Sequence, residues 1–390
     1  MDFTSLRELS EKITTPAYVF NTDEFEERAK LVKDCFSQKI GLCFSIKANP
    51  FLLRYFPEIF DKIEVCSPGE LTVCEKTGID MQKVIFSGVN KTDADVKRAI
   101  EDGAGVLTAE SLLHVELINK NALSQNKKVR VLLRLTAGSQ FGMDEQDVIS
   151  VIKKRESYKG FEIIGLHFFS GTQKKKPSVI EKELNYLDGF CQTVFEKTGF
   201  KIENIEYGTG LAVDYFKEDY ASIEKERMEE TSVFLKKFAE KYKLTVEMGR
   251  FFAADCGYYF TKVIDTKTNK GINYAILDGG LNQLKYDGQL QGMQIPPIMH
   301  IKTKPDSSAE EKWTLCGSLC TTADIIARDA PLSSLEKGDI LVFCRTGAYS
   351  VTEGMANFLS RELPGVSLYS EKNGFVTVRK MINTDIFNTP

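Results

Sequence analysis

Over roughly the first 250 positions, short apolar runs alternate with longer segments whose apolar residues recur at spacings of three and four. The runs, rich in β-branched and aromatic residues, are 41–48, 62–68, 83–89, 105–110, 128–135, 162–170, 204–210 and 244–250. Between them lie segments of helical period, among them 69–78, 92–103, 111–123 and 183–199. A strand-then-helix unit repeated eight times predicts an α/β fold, a parallel (β/α)8 barrel closed on itself. The rival is an open doubly wound sheet, which usually shows a G-x-G-x-x-G turn after its first strand; this chain has none.

Past Phe251 the pattern changes. Strand-like runs at 257–264, 272–278, 312–316, 339–344 and 375–380 are separated by turns such as Asp278-Gly279-Gly280 and Lys372-Asn373-Gly374. These predict an additional antiparallel β-sandwich or barrel domain. The early run Tyr18-Val19-Phe20 precedes the first barrel unit and is expected to join it. The expected boundaries are 22–255 for the barrel, and 1–21 with 256–390 for the β domain. Segment 281–311 has the weakest pattern and is expected to be a mobile loop.

Composition narrows the class. A net charge of −4 supplies no broad basic surface, which argues against a nucleic-acid partner. No apolar run approaches the length of a membrane span, and the start MDFTSLRELSEK lacks a signal pattern, so a cytoplasmic protein is expected. The nine cysteines are odd in number, form no C-x-x-C, and often lie in apolar runs. They read as reduced, mostly buried thiols. Three widely separated histidines lend little support to a metal site.

Chemistry in such a barrel collects at the carboxyl ends of the strands, and a phosphate site commonly follows strands seven and eight. The polar residues fall there. The first run ends in Lys47, and the second carries Glu64 and Ser67. The sixth ends in His167-Phe-Phe-Ser170, the seventh in Gly208-Thr209-Gly210 and the eighth in Glu247-Met-Gly249-Arg250. Each has an ordinary reading: a snorkelling lysine, a core histidine, a tight turn, an ion pair. Together, a desolvated nucleophilic lysine, a glycine cradle with an arginine, a flat imidazole and an inward carboxylate describe a site for pyridoxal 5'-phosphate.

The same residues resemble a family. SIKANP (45–50), EVCSPGE (64–70), HFFSGTQ (167–173), YGTGLAVDY (207–215), EMGR (247–250), CGSLCTTAD (316–324) and GAY (347–349) occur in the order found in the barrel-type pyridoxal-phosphate amino-acid decarboxylases, the diaminopimelate and ornithine decarboxylase group. The resemblance runs from Tyr18 to about Arg379. It implies that Lys47 binds the cofactor aldehyde, His167 stacks on its ring, and Glu247 bonds the pyridine nitrogen. Ser170, Gly208, Gly210, Gly249, Arg250 and Tyr349 are similar to the phosphate-contacting set, and Glu64 is placed with the cofactor residues. Cys320 resembles the proton-donating cysteine supplied across a homodimer interface. Asp324 beside it, with Arg250, is placed in the substrate pocket. Two positions depart from the family's usual letters: Thr209 stands within a run that is commonly three glycines, and Met248 replaces a proline.

The implied activity is α-decarboxylation of an amino acid or amino-acid conjugate to an amine and CO₂. The alternatives are a diaminopimelate decarboxylase making lysine, an amino-acid racemase, and a non-catalytic pyridoxal-phosphate carrier. An ionised carboxylate at the ring nitrogen favours decarboxylation over racemisation, and the extra β domain argues against a carrier. Diaminopimelate decarboxylases usually grip the distal end of their substrate through an arginine in the loop after the Asp-x-Gly turn, and through a Glu after the cysteine. Here that loop, 279–291, has no arginine, and Thr321 follows Cys320. HFFSGTQ, QFGMDE (140–145) and CTTAD look closer to members acting on modified amino acids, including carrier-linked glutamate, whereas FLSRELP (358–364) looks like the diaminopimelate subgroup. Lys174-Lys175-Lys176 reads either as a solvated loop or as charges steering an anionic, tethered substrate.

Overall fold

The structure, a computed structural model, describes residues 1–304 and 309–390. A helix, Phe3–Ser10, opens the chain, and strand β1 (Ala17–Asn21) follows it. Eight parallel strands then close into a barrel: β2 (Gly41–Ser45), β3 (Lys62–Val65), β4 (Val84–Phe86), β5 (Val106–Ala109), β6 (Val129–Arg134), β7 (Phe161–Phe169), β8 (Asn204–Gly208) and β9 (Lys243–Met248). The last pairs with the first through Cys43 opposite Glu247. The intervening helices begin on side-chain caps written into the sequence. Ser67 caps Pro68–Thr77, Ser111 caps Leu112–Ser124, and Thr92 with Asp95 forms a capping box on Asp93–Glu101. A left-handed Gly78 ends the first of these, where a Cβ would be strained.

The remaining strands are β10 (Gly257–Asn269), β11 (Ile272–Leu277), β12 (Ile298–Ile301), β13 (Glu310–Cys316), β14 (Ile325–Ser333), β15 (Ile340–Cys344), β16 (Gly365–Ser370) and β17 (Gly374–Arg379). With β1 they make a nine-stranded sheet in the order β14-β13-β11-β10-β1-β16-β17, with β15 pairing β10 and β12. Most pairs are antiparallel; β1 with β16 and β11 with β13 are parallel. The early Tyr18 run lies inside this sheet, antiparallel to β10. Three strands go beyond the sequence reading. β14 carries Asp329 at φ 52 and Pro331, which interrupt its pattern. β16 starts directly after Pro364, and the four-residue β12 lies within the segment 281–311 expected as a loop. Part of that segment, 305–308, lies outside the described residues.

The chain divides into two compact units. One comprises Arg28–Val213 and Ala221–Phe252, and holds the barrel. The other comprises Met1–Glu27, Asp214–Tyr220 and Ala253–Pro390, and holds the sheet. The short segment Asp214–Tyr220 groups with the sheet, and its aromatic side chains meet residues of that unit. Tyr215 and Phe216 meet Tyr286 at ring separations of 5.6 and 5.9 Å, and the Arg345 guanidinium lies 3.6 Å over Tyr220. Among the described residues no helix is long and apolar enough to cross a membrane.

Candidate active site

Strand parity places the polar groups. Side chains alternate across a strand, so Cys43 and Ser45 on β2, Glu206 and Gly208 on β8, and Thr245 and Glu247 on β9 share one face of their strands. The parallel register sets Ser45 opposite Glu64, His167 opposite Glu206, and Gly208 opposite Glu247. Lys47 sits just past β2 in a single 3₁₀ turn, Ile46–Ala48. Asn49 then accepts the Phe51 amide and starts the next turn at Pro50.

Two clusters result, joined by one hydroxyl. In the first, Lys47 Nζ lies 3.0 Å from Glu64 Oε2 and 3.6 Å from Cys66 Sγ. In the second, His167 Nε2 lies 2.9 Å from Glu247 Oε2. Ser45 Oγ reaches Glu247 Oε1 at 2.9 Å and also contacts Glu64 Oε2. A serine has one proton to give, so it serves one of these carboxylates at a time. Burial pushes Glu64 up, but the Lys47 ammonium and the Ser45 hydroxyl outweigh it and hold the carboxyl below its usual range.

A third carboxyl lies in the barrel floor. Glu206 is 3% exposed, and its Oε1 has no protein partner among the described residues. Burial raises its pKa well above the ordinary value, and the neighbouring charges of Glu247 and Glu64 push it the same way. One ligand atom from each of His167, Glu206 and Glu247 falls within 4.8 Å of the others. Two carboxyls this close in low dielectric resist ionising together, which adds to the burial that favours the protonated form of Glu206. Glu206, Ser45 and Cys66 were not singled out from the sequence. The available signal was parity: Glu206 stands two residues before Gly208, and Ser45 two before Lys47.

Around the barrel mouth lie the glycines. Gly210 has φ 61, and a Cβ there would come 2.1 Å from the Gly171 carbonyl oxygen. A Cβ on Gly249 would stand 2.8 Å from that of Ala48. Neither position has room for a side chain, and Arg250 opens the short helix that follows. The buried His167 Nδ1 and Thr209 Oγ1 also lack protein partners among the described residues. A primary amine beside buried carboxyls, a backbone cradle lined by glycine, an arginine and unfilled polar atoms suit an aldehyde cofactor carrying a phosphate.

Two of the charged residues singled out from the sequence are tied up within the chain. Asp324, placed by resemblance in a substrate pocket, is 2% exposed, and its two oxygens accept the amides of Leu281 and Leu319 at 2.8 Å. It clasps two loops of the sheet unit through one amide on each oxygen. Lys174 is no steering charge: its side chain is 8% exposed and its Nζ lies 2.7 Å from Glu183 Oε2. Lys175 and Lys176 are exposed. In the sheet unit, Cys320 lies exposed on a turn and Tyr349 takes a left-handed φ of 67.

Comparison with known proteins agrees with this chemistry. The chain is 26% identical to an L-glutamyl-[BtrI acyl-carrier protein] decarboxylase of Niallia circulans, over 99% of this chain and 95% of the relative. It is 28% identical to a diaminopimelate decarboxylase of Zymomonas mobilis, over 97% and 93%. Its fold matches the crystal structure of the M. jannaschii diaminopimelate decarboxylase in complex with L-lysine, with TM-score 0.83 at 23% identity over 96% and 92%. Residues 22–254 match the family described as pyridoxal-dependent decarboxylase, pyridoxal binding domain, and the chain belongs to that family: it is a decarboxylase whose cofactor is pyridoxal phosphate.

Proposed function

We propose that this enzyme removes the α-carboxyl group of an amino acid whose distal end is conjugated or tethered, with carrier-linked glutamate as the nearest precedent. The observation that carries the reading is the loop 279–291. It holds no arginine, and Thr321 follows Cys320, so a free substrate ending in an ammonium and a carboxylate lacks its usual charged partners. A conjugated distal end needs no such pair. The end-to-end similarity to a decarboxylase of carrier-linked glutamate supports this. The exposed Lys175 and Lys176 suit an anionic carrier.

In this reading Lys47 would hold the cofactor through its aldehyde, with the Glu64 carboxylate 3.0 Å from its nitrogen. Bound pyridoxal phosphate supplies the electron sink for the pair left behind by CO₂. Glu247 would meet the pyridine nitrogen, beside a Glu206 whose burial favours its protonated form. His167 would stack on the ring. Ser170, Gly208, Gly210, Gly249, Arg250 and Tyr349 would hold the phosphate, and Arg250 would also face the substrate. The enzyme works as a homodimer, in which Cys320 of one copy gives the proton to Cα in the other's site. The nine cysteines, all unpaired, fit a cytoplasmic setting.

Family membership as a decarboxylase leaves the racemase and carrier alternatives without support. Diaminopimelate remains the second reading, favoured by the Zymomonas relative and by FLSRELP at 358–364. A CO₂-release screen over ornithine, lysine, diaminopimelate, free glutamate and a glutamyl thioester of a carrier protein decides between them. Fastest turnover of the thioester is expected; faster turnover of diaminopimelate refutes the assignment.

A further inference from the structure

One half-buried ionic group in the barrel unit has no part in the chemistry above. Glu183, on the helix Pro177–Thr198, gathers three donors from the loop and strand beside the glycine cradle. Ser170 Oγ gives its proton to Glu183 Oε1 at 2.5 Å, Lys174 Nζ lies 2.7 Å from Oε2, and the Tyr207 hydroxyl donates to Oε2 as well. The position of Lys174 is fixed twice over. Its amide donates to the Gly210 carbonyl at 2.8 Å, and its ammonium lies 5.5 Å over the Tyr207 ring. A Cβ on Gly210 would come 3.3 Å from Lys174 Cε.

This arrangement sets an apparent conflict. Ser170 and Gly210 are assigned to a phosphate dianion, yet a carboxylate holds the serine's only proton. Like charges at that range in a half-buried site repel by more than a hydrogen bond returns. Lys174 resolves it, because a carboxylate paired with an ammonium presents almost no net charge to a neighbour. Burial lowers the Lys174 pKa, while Glu183 opposes that shift and favours its charge.

We propose that Glu183 and Lys174 are the positioning pair of the phosphate cradle. Glu183 holds the Ser170 hydroxyl in place until phosphate takes it, and Lys174 cancels the carboxylate charge that would otherwise keep phosphate out. The proposal rests on the phosphate reading given above and adds two residues to it. Its logic is a charge balance, so removing the cation alone is harmful and removing both charges is not.

The test is spectral titration of the apo-protein with pyridoxal phosphate and, separately, with pyridoxal, which lacks the phosphate. Lys174→Met is expected to weaken pyridoxal phosphate binding about tenfold or more, the scale of one charge-assisted contact. Pyridoxal binding is expected to stay unchanged. Glu183→Gln added to Lys174→Met restores the affinity, and Lys174→Arg retains it. Thermal melts of each variant report whether the fold is kept. An equal loss for both ligands, or a double variant no better than the single one, overturns the pair. Gly210→Val is the control for the underlying reading. If it too leaves pyridoxal phosphate affinity intact, phosphate binds elsewhere and the assignment of the cradle itself fails.

Discussion

Replacing Glu206 by Gln removes one ionisable proton from the barrel floor while keeping the side chain's shape. In the folded chain this carboxyl is buried beside Glu247, Glu64, Cys43 and His167, with Lys62 the cation acting on it, and its pKa is raised well above 4.5. A raised folded-state pKa means that the folded protein binds the proton more tightly than the unfolded chain. Its contribution is therefore complete in acid, below the unfolded value. It is lost as pH rises from that value through the folded one. Within this window the wild type loses about 1.4 kcal/mol of stability per pH unit relative to Glu206→Gln, which cannot ionise. For a chain of 390 residues that is about 2 °C of melting temperature per unit, or about 3 °C if the barrel unit melts alone. Apo-protein melts of both forms, taken at half-unit steps from pH 5 upward, read the difference directly. The two curves are expected to diverge, with the variant progressively the more stable. Parallel curves, or a wild type that gains on the variant with rising pH, would show Glu206 ionised and compensated, and the neutral-floor argument would be wrong.

Three further outcomes follow from the geometry. Gly210→Val forces a β-branched side chain onto φ 61 with its Cβ 2.1 Å from a carbonyl oxygen, so pyridoxal phosphate affinity should fall by about 5- to 150-fold, the 1–3 kcal/mol of such strain; unchanged affinity counts against the cradle. Asp324→Ala leaves two amides without their acceptor and should lower stability by about 2–4 kcal/mol in urea unfolding, whereas a change near zero would mean the clasp is not structural. Lys47→Ala strands the buried Glu64 charge. Because the folded Glu64 pKa is lowered, its stabilisation is present above the unfolded value and lost as pH falls, so the variant should lose stability at neutral pH and show a flatter acid limb. The cost should be about 1–2 kcal/mol, less than for a closed pair because the Lys47 side chain is 38% exposed; an unaltered acid limb would separate Lys47 from Glu64.

Much of the barrel was legible because its strands are short apolar runs that a helix of clear period must follow. The same logic failed where pairing, rather than pattern, makes the strand. β14 tolerates Pro331 and a left-handed Asp329, and the four residues of β12 become a strand by pairing with β15. The site divides in the same way. Lys47, Glu64, His167 and Glu247 stood out as charged or polar residues closing apolar runs. Glu206 did not, since a glutamate between Ile205 and Tyr207 also reads as the solvent face of a strand.

By itself, then, the order of residues determined the eight-unit repeat, the switch to a β domain after Phe251, and the amine, imidazole and carboxylates at the strand ends. Local periodicity and residue chemistry are properties of neighbours along the chain, and they survive without a fold. Only the tertiary structure decided which charges are shared. It tied Asp324 to two backbone amides, took Lys174 out of solvent to meet Glu183, and set three carboxyls around one imidazole and one hydroxyl. Burial and charge sharing depend on which side chains the fold brings together, as when closure of the barrel sets Ser45 against Glu247, 202 positions away.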